Sequence, residues 1–191
     1  IESGQFNLVR ADAVKQPIGN LPDDITEYSV VANLPYAISS AWLEALLGSE
    51  KLPTSMVMML QKEATERMLA PPGTKAYNAL AIFLQASYQQ RGYHSVPGQC
   101  FYPAPAVASA LLKMEKKTEP YLFAKETRSL IRRIFTQRRK QIGSLLKKEE
   151  QEIQQIMTSW LEENNICSTT RPEKISVDQW IKLGGQFPST N

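Results

Sequence analysis

The sequence has few of the residues that metal sites and covalent catalysis need. Its 191 residues include two cysteines, Cys100 and Cys167, and one histidine, His94. The cysteines lie far apart without the short spacing of zinc ligands, and the histidine stands alone. This pattern argues against a metal site and a Cys/His nucleophile. So few cysteines also favour a reduced, cytoplasmic setting.

Long apolar runs are missing as well. The longest, such as residues 56–60, are strand-sized, whereas a membrane helix needs roughly 18 unbroken apolar residues. No signal peptide is recognisable, so the sequence predicts no membrane association. The chain begins with Ile1 instead of methionine. We therefore expect it to be a piece of a longer protein.

Basic charge is concentrated in one part of the chain. The net charge is +3, but residues 111–150 contain twelve Lys/Arg and five Glu, or +7, so the remainder carries −4. Such a segment indicates either a surface that faces a polyanion or a solvated helix face. Charge alone does not separate the two.

Apolar periodicity predicts the later part of an open α/β sheet followed by helices. Predicted strands cover residues 6–10, 29–32, 55–60, 92–96 and 108–114. Predicted helices cover residues 41–47 after a Ser39-Ser40 cap, then 62–69, 76–89, 123–147, 151–163 and 176–183. The character of the sequence changes after Lys117, which predicts a domain boundary near residue 118.

Asn33-Leu34-Pro35-Tyr36 follows a predicted buried strand, where open α/β sheets bind ligands. The Asn33 side-chain oxygen and the Leu34 carbonyl could accept hydrogen bonds from both N–H groups of an exocyclic adenine amine. The nitrogen would then become pyramidal and able to attack a methyl sulfonium, without a general base. Pro35 stiffens the turn, and Tyr36 offers a face for a flipped-out base. The alternative is a tight turn with Tyr36 in the core.

The stretch at residues 31–40 resembles the target-base motif of the KsgA/Dim family, the ribosomal RNA adenine N6,N6-dimethyltransferases. Residues 10–13 resemble the family's acidic motif, and residues 101–110 resemble its F-x-P-x-P-x-V-x-S-A loop. Residues 131–141 resemble its basic F-x-Q-R-R-K helix, and residues 171–176 resemble its closing R-x-E-x-L-S element. The likeness covers essentially the whole chain, in fixed order and spacing.

The resemblance implies a site for S-adenosyl-L-methionine and a target base. Asp12 would contact the adenine amino group of this methyl donor, with Ala13 and Asn33 in the same site. Phe101 would be the second stacking partner of the target base, opposite Tyr36. Without the family, Asp12 could be only a turn or helix-capping residue and Phe101 only a core aromatic.

The resemblance also implies a domain organisation and a partner. Residues 1–117 would form part of a Rossmann-like class I methyltransferase domain, and residues 118–191 a small all-α C-terminal domain that binds small-subunit rRNA. The chain would act as a monomer. The RNA-binding side chains would be Arg132, Arg133, Gln137, Arg138, Arg139 and Lys140.

One family feature is missing from the sequence. Members carry a glycine-rich turn for the methionine end of the cofactor and an acidic residue for its ribose. No glycine cluster precedes Asp12. We therefore expect an incomplete cofactor site and an inactive fragment.

The sequence predicts an enzyme that dimethylates two adjacent adenines near the 3′ end of small-subunit rRNA and takes part in ribosome biogenesis. Three alternatives stay open. They are a large-subunit rRNA adenine methyltransferase of the macrolide-resistance type, a non-catalytic ribosome-assembly or transcription factor of the same fold, and a DNA adenine methyltransferase.

Overall fold

Four strands form a mixed sheet in the computed structural model, which describes residues 7–49 and 51–187. The strands lie in the order β1-β2-β4-β3. β1 runs parallel to β2, whereas β4 is antiparallel to both of its neighbours. They are β1 (Ser29–Asn33), β2 (Ser55–Gln61), β3 (Tyr88–Val96) and β4 (Ser109–Lys116).

Seven α-helices accompany this sheet in the described part of the chain, three of them before β4 and four after it. The early helices are α1 (Ser39–Leu46), α2 (Lys62–Met68) and α3 (Ala79–Ser87). The later helices are α4 (Lys125–Thr136), α5 (Ile142–Leu146), α6 (Gln151–Glu163) and α7 (Val177–Gly184). No helix within residues 7–49 and 51–187 is long and apolar enough to cross a membrane.

α3 lies at the centre of the molecule, with nearly all of its residues buried. It contacts α2, α4 and α7 as well as β3. Its Phe83 packs against Phe123 in the segment before α4, at 5.4 Å between ring centroids. One continuous apolar core therefore joins the sheet to the later helices.

The strand predicted at residues 6–10 is not found where the chain is described. Phe6 lies outside the described residues, and residues 7–10 form no strand. A strand exists only where a neighbour completes its hydrogen-bond ladder. In the described part of the sheet, β1 is an edge strand that pairs with β2 alone.

The helix predicted at residues 76–89 is shorter in the structure. Asn78 precedes α3 and caps it, because its side-chain oxygen accepts the N–H of Ala81 at 3.1 Å. At the other end the chain turns directly into β3 at Tyr88. The Tyr88 hydroxyl donates to the Pro53 carbonyl at 2.9 Å. That tertiary contact lies where the chain changes from helix to strand. Apolar periodicity alone does not predict this change.

The single helix predicted at residues 123–147 is also wrong, since a turn at 137–141 divides it into α4 and α5. The N–H groups of Ile142 and Gly143 bond to the carbonyls of Thr170 and Ser168, both at 2.8 Å, instead of to helix carbonyls. A Cβ atom on Gly143 would lie 2.8 Å from the Ser168 Cβ atom. Only glycine allows this close approach without a shift.

Candidate target-base site and basic surface

Asn33 is the last residue of β1, at the carboxyl end of that strand. It lies opposite Met59 of β2, and Gln61 of β2 lies opposite Ser109 of β4. The ends of β1 and β2 and the start of β4 therefore meet at one edge of the sheet. Asn33 is exposed there, and Leu34 after it is half-buried.

Tyr36 lies just beyond Asn33, in a short 3-10 helix (Tyr36–Ile38) that Pro35 precedes. Tyr36 is half-buried and is not among the buried core residues. The Tyr36 hydroxyl lies 2.6 Å from Ser109 Oγ. Ser39 does not cap α1 as predicted, because its Oγ donates to the Tyr36 carbonyl at 3.0 Å and Ile38 occupies the cap position.

Phe101 lies in the proline-rich loop of residues 97–108, which connects β3 to β4. The loop returns to the sheet at Ser109, so it lies at the same edge as Asn33. Phe101 is half-buried, and its N–H bonds to the Gly98 carbonyl at 3.1 Å. Beside it, Tyr102 is fully exposed, an aromatic that the sequence analysis did not single out.

Asp12 forms a tight turn before the sheet. One of its carboxylate oxygens accepts the N–H of Val14 at 2.9 Å, and its carbonyl accepts from Lys15 and Gln16. Asp12 is exposed and Ala13 is half-buried. The turn role is therefore real, but the second carboxylate oxygen can still accept a hydrogen from a ligand.

The basic residues predicted to bind RNA differ in their surroundings. Arg132 pairs with Glu44 at 2.9 Å, and Arg133 pairs with Glu149 at 2.6 Å. Gln137 accepts from Lys148 Nζ at 2.9 Å. All three therefore make hydrogen bonds within the protein.

Arg138 also makes contacts within the protein. Its guanidinium donates to the carbonyls of Lys75 and Tyr77, in the loop before α3. With Phe135 and residues of α2, Arg138 lines a cleft of about 520 Å³ between α2 and α4. The predicted base-stacking residues Tyr36 and Phe101 do not line it.

Arg139 and Lys140 are exposed on the turn between α4 and α5, so this basic motif does not lie on a helix as predicted. Lys148 is exposed nearby, and the neighbouring Lys140 ammonium lowers the pKa of Lys148. Close ammonium groups repel each other, and an anion placed between them would relieve that repulsion. Lys148 was not among the predicted RNA-binding residues. The sequence showed only that it belongs to the basic segment of residues 111–150.

Within residues 7–49 and 51–187, no group of three or more His, Cys, Asp or Glu side chains could hold a metal ion. Both cysteines are free and exposed.

The chain matches the family model described as ribosomal RNA adenine dimethylase over residues 3–184. It is 43% identical over 179 residues to the ribosomal RNA small subunit methyltransferase A of Opitutus terrae, covering 93% of this chain and 64% of that protein. It is 33% identical to the protein of the same name from Synechocystis sp., covering 96% of this chain and 68% of that protein.

Two solved structures have similar folds. A dimethyladenosine transferase from Plasmodium falciparum superposes with a TM-score of 0.70 at 25% identity, covering 82% of this chain and 66% of that one. The 23S rRNA methyltransferase ErmE superposes with a TM-score of 0.62 at 20% identity, covering 93% and 70%. Both likenesses confirm the Rossmann-like class I fold that the sequence predicted.

The family match extends from before Asp12 to the end of α7, and so includes every stretch on which the resemblance was based. The chain spans a little under two thirds of the length of the Opitutus relative. It belongs to the ribosomal RNA adenine dimethylase family.

Proposed function

We propose that this chain carries the target-adenine site and the RNA-facing surface of an S-adenosyl-L-methionine-dependent rRNA adenine N6,N6-dimethyltransferase. Its substrates would be two adjacent adenines near the 3′ end of small-subunit rRNA, in the small ribosomal subunit or its precursor. The observation that carries the proposal is the edge shared by Asn33, Tyr36 and the loop of Phe101. Membership of the family makes rRNA the expected nucleic acid.

In this proposal the chain orients the amine and does not deprotonate it before attack. The nitrogen becomes cationic when it gains the methyl group, and it then loses a proton to solvent. The Asn33 side-chain oxygen and the Leu34 carbonyl accept hydrogen bonds from the two N–H groups of the adenine amine. Tyr36 and Phe101 stack on the two faces of the base, and Pro35 fixes the turn between the acceptors and Tyr36. Base–aromatic stacking contributes about 1–3 kcal/mol per base, which offsets the cost of unstacking the adenine from RNA.

S-adenosyl-L-methionine supplies a methyl group on a cationic sulfur. The residues in this chain fit one part of that molecule. Asp12 is exposed with one oxygen already bonded to Val14, so the other can accept from the adenine amino group of the cofactor. Ala13 and Asn33 would belong to the same site.

We propose that residues 118–191 form the helical RNA-binding domain, next to a methyltransferase domain that ends at residue 117. Its RNA-facing surface consists of Arg139, Lys140 and Lys148, which are exposed on or beside the turn between α4 and α5. The other four predicted residues, Arg132, Arg133, Gln137 and Arg138, bond to protein groups, and Arg133 is exposed as well.

The test is methyl transfer by the complete gene product that contains this chain. The protein is incubated with radiolabelled S-adenosyl-L-methionine and small-subunit particles that lack the two methylated adenines. We expect label in N6,N6-dimethyladenine near the 3′ end of the small-subunit rRNA. Asn33→Ala is the matched inactive control. Label elsewhere, or label that Asn33→Ala does not reduce, contradicts the proposal.

Primer extension on both rRNAs separates the proposal from its closest alternative. Stops at two adjacent adenines of the small-subunit rRNA support it. A stop in large-subunit rRNA would instead identify the macrolide-resistance type of activity. Stable particle binding without methylation would identify an assembly factor.

A further inference from the structure

Tyr36 is attached to the sheet at the tip of its side chain. Its hydroxyl lies 2.6 Å from Ser109 Oγ, although the two residues are 73 positions apart in sequence. Ser109 is fully buried and begins β4, and β4 is separated from β1 by β2. The Tyr36 side chain therefore reaches across the end of β2 to meet it.

The backbone of Tyr36 is fixed independently. The Ser39 N–H and Ser39 Oγ both donate to the Tyr36 carbonyl, the latter at 3.0 Å. Ser39 is itself buried. With the carbonyl and the hydroxyl both bonded, the long axis of the Tyr36 ring has a fixed position relative to the sheet.

Ser109 also lies at the end of the loop that carries Phe101. The loop of residues 97–108 enters β4 at Ser109, and the preceding carbonyl, that of Ala108, accepts the Lys62 N–H at 2.9 Å. One hydrogen bond therefore links Tyr36 to the base of the Phe101 loop. It fixes the position of Tyr36 relative to the base of that loop.

We propose that Ser109 is a positioning residue for the target adenine, acting through the Tyr36 hydroxyl. This inference rests on the proposed function, since it requires that Tyr36 stacks on the base. It adds that the tyrosine hydroxyl is needed for placement and does not itself contact the reacting amine. A misplacement of about 1 Å in a reacting group can lower turnover about a hundredfold. Loss of the bond should therefore lower kcat by about tenfold to a hundredfold.

The hydrogen bond is tested first without substrate. Urea unfolding is followed for Ser109→Ala, Tyr36→Phe and the double variant. Each single variant should lower the urea midpoint, and the double variant should lower it no further than the larger single change. Additive shifts would mean that the two hydroxyls act independently, and would overturn the inference.

Methyl transfer by the complete gene product then tests the role in catalysis. Ser109→Ala and Tyr36→Phe should lower kcat by the same factor, and the double variant by no more. The Kd for S-adenosyl-L-methionine should stay unchanged in all three. Wild-type kcat in Ser109→Ala, or multiplicative losses in the double variant, would overturn the inference.

Ser87→Ala is the matched control for loss of a buried serine. Ser87 is as buried as Ser109, and its Oγ donates to the Tyr121 carbonyl, also at 2.6 Å. This variant should lower the urea midpoint but keep wild-type kcat. Equal loss of kcat in both serine variants would show a general effect of stability and overturn the inference. An inactive wild-type protein would refute the proposed function, and this inference with it, even with non-additive urea midpoints.

Discussion

Two fully buried tyrosines, Tyr77 and Tyr88, differ in what their hydroxyls contact. The Tyr88 hydroxyl donates to the Pro53 carbonyl at 2.9 Å, whereas the Tyr77 hydroxyl has no hydrogen-bond partner among residues 7–49 and 51–187. A buried polar group without a partner costs about 1–3 kcal/mol, and a satisfied one contributes about 1 kcal/mol. The same substitution should therefore have opposite effects at the two positions.

We expect Tyr77→Phe to raise the free energy of unfolding by about 1 kcal/mol and Tyr88→Phe to lower it by a similar amount. Urea unfolding at pH 7 measures both, and each variant serves as the other's control because both lose one buried hydroxyl. A loss of stability in Tyr77→Phe would reveal a partner for that hydroxyl in solution.

Tyr88 also predicts how stability depends on alkaline pH. Burial, and then the nearby Tyr28, raises the pKa of Tyr88 in the folded protein, while an unfolded tyrosine ionises near pH ~10. Its contribution to stability is therefore fully present below pH ~10 and is lost as the pH rises above that value. Tyr88→Phe should show a shallower loss of unfolding free energy between pH ~9 and ~11. Parallel curves for wild type and variant would contradict this assignment.

The two proposed stacking residues give a prediction about catalysis. Tyr36→Ala and Phe101→Ala should each lower kcat/KM for the RNA by about tenfold or more, because each removes about 1–3 kcal/mol of stacking. Neither should change the Kd for S-adenosyl-L-methionine measured by calorimetry. Tyr102→Ala is the control, since Tyr102 is the exposed aromatic beside Phe101. Weaker cofactor binding with unchanged turnover would refute the stacking role.

Among the secondary-structure elements, α4 and α5 replace the single helix that was predicted at residues 123–147, because tertiary contacts stabilise a turn between them. The turn between them allows Arg138 to bond the carbonyls of Lys75 and Tyr77, while Arg139 and Lys140 stay exposed. The three adjacent basic residues therefore have different roles. Arg138 connects two segments of the protein, and its two neighbours face the solvent.

This difference predicts separable effects on binding and on stability. Arg139→Ala combined with Lys140→Ala should weaken binding to small-subunit particles and reduce the salt slope of log K by about 1–2. The free energy of unfolding should stay unchanged. Arg138→Ala should show the reverse pattern, with lower stability and a nearly wild-type slope. An unchanged slope in the double variant would remove this turn from the RNA-facing surface.

The elements that local pattern determines were predicted from the sequence. β2 and α6 match closely, because β2 is a continuous apolar run and α6 has a clear apolar periodicity. The start of β3 at Tyr88 and the turn after Thr136 were missed, because distant residues decide them. The same holds at the site. Asn33 and Tyr36 lie at the predicted edge, but the bond from Tyr36 to Ser109 joins residues 73 apart and has no local signature.

At the scale of the whole molecule, the sheet and the later helices share one core. Buried residues of α1 and α3 belong to the same apolar cluster as those of α4, α6 and α7. Arg128 of α4 adds polar contacts across this boundary, since its guanidinium donates to the Glu44 carbonyl of α1 and lies 5.5 Å from the centroid of the Phe83 ring. The boundary proposed near residue 118 therefore does not separate two hydrophobic cores.

A shared core predicts that both parts unfold together. Hydrogen exchange followed by mass spectrometry should give the same opening free energy for the most protected peptides of α3 and of α6. Arg128→Ala removes a charged hydrogen bond worth about 1.5–3 kcal/mol, and should lower protection in both helices equally. Arg139→Ala is the control, because Arg139 is exposed on the turn between α4 and α5. It should change the protection of neither helix. If Arg128→Ala lowered protection in α6 alone, residues 118–191 would be an independently stable domain docked on the sheet.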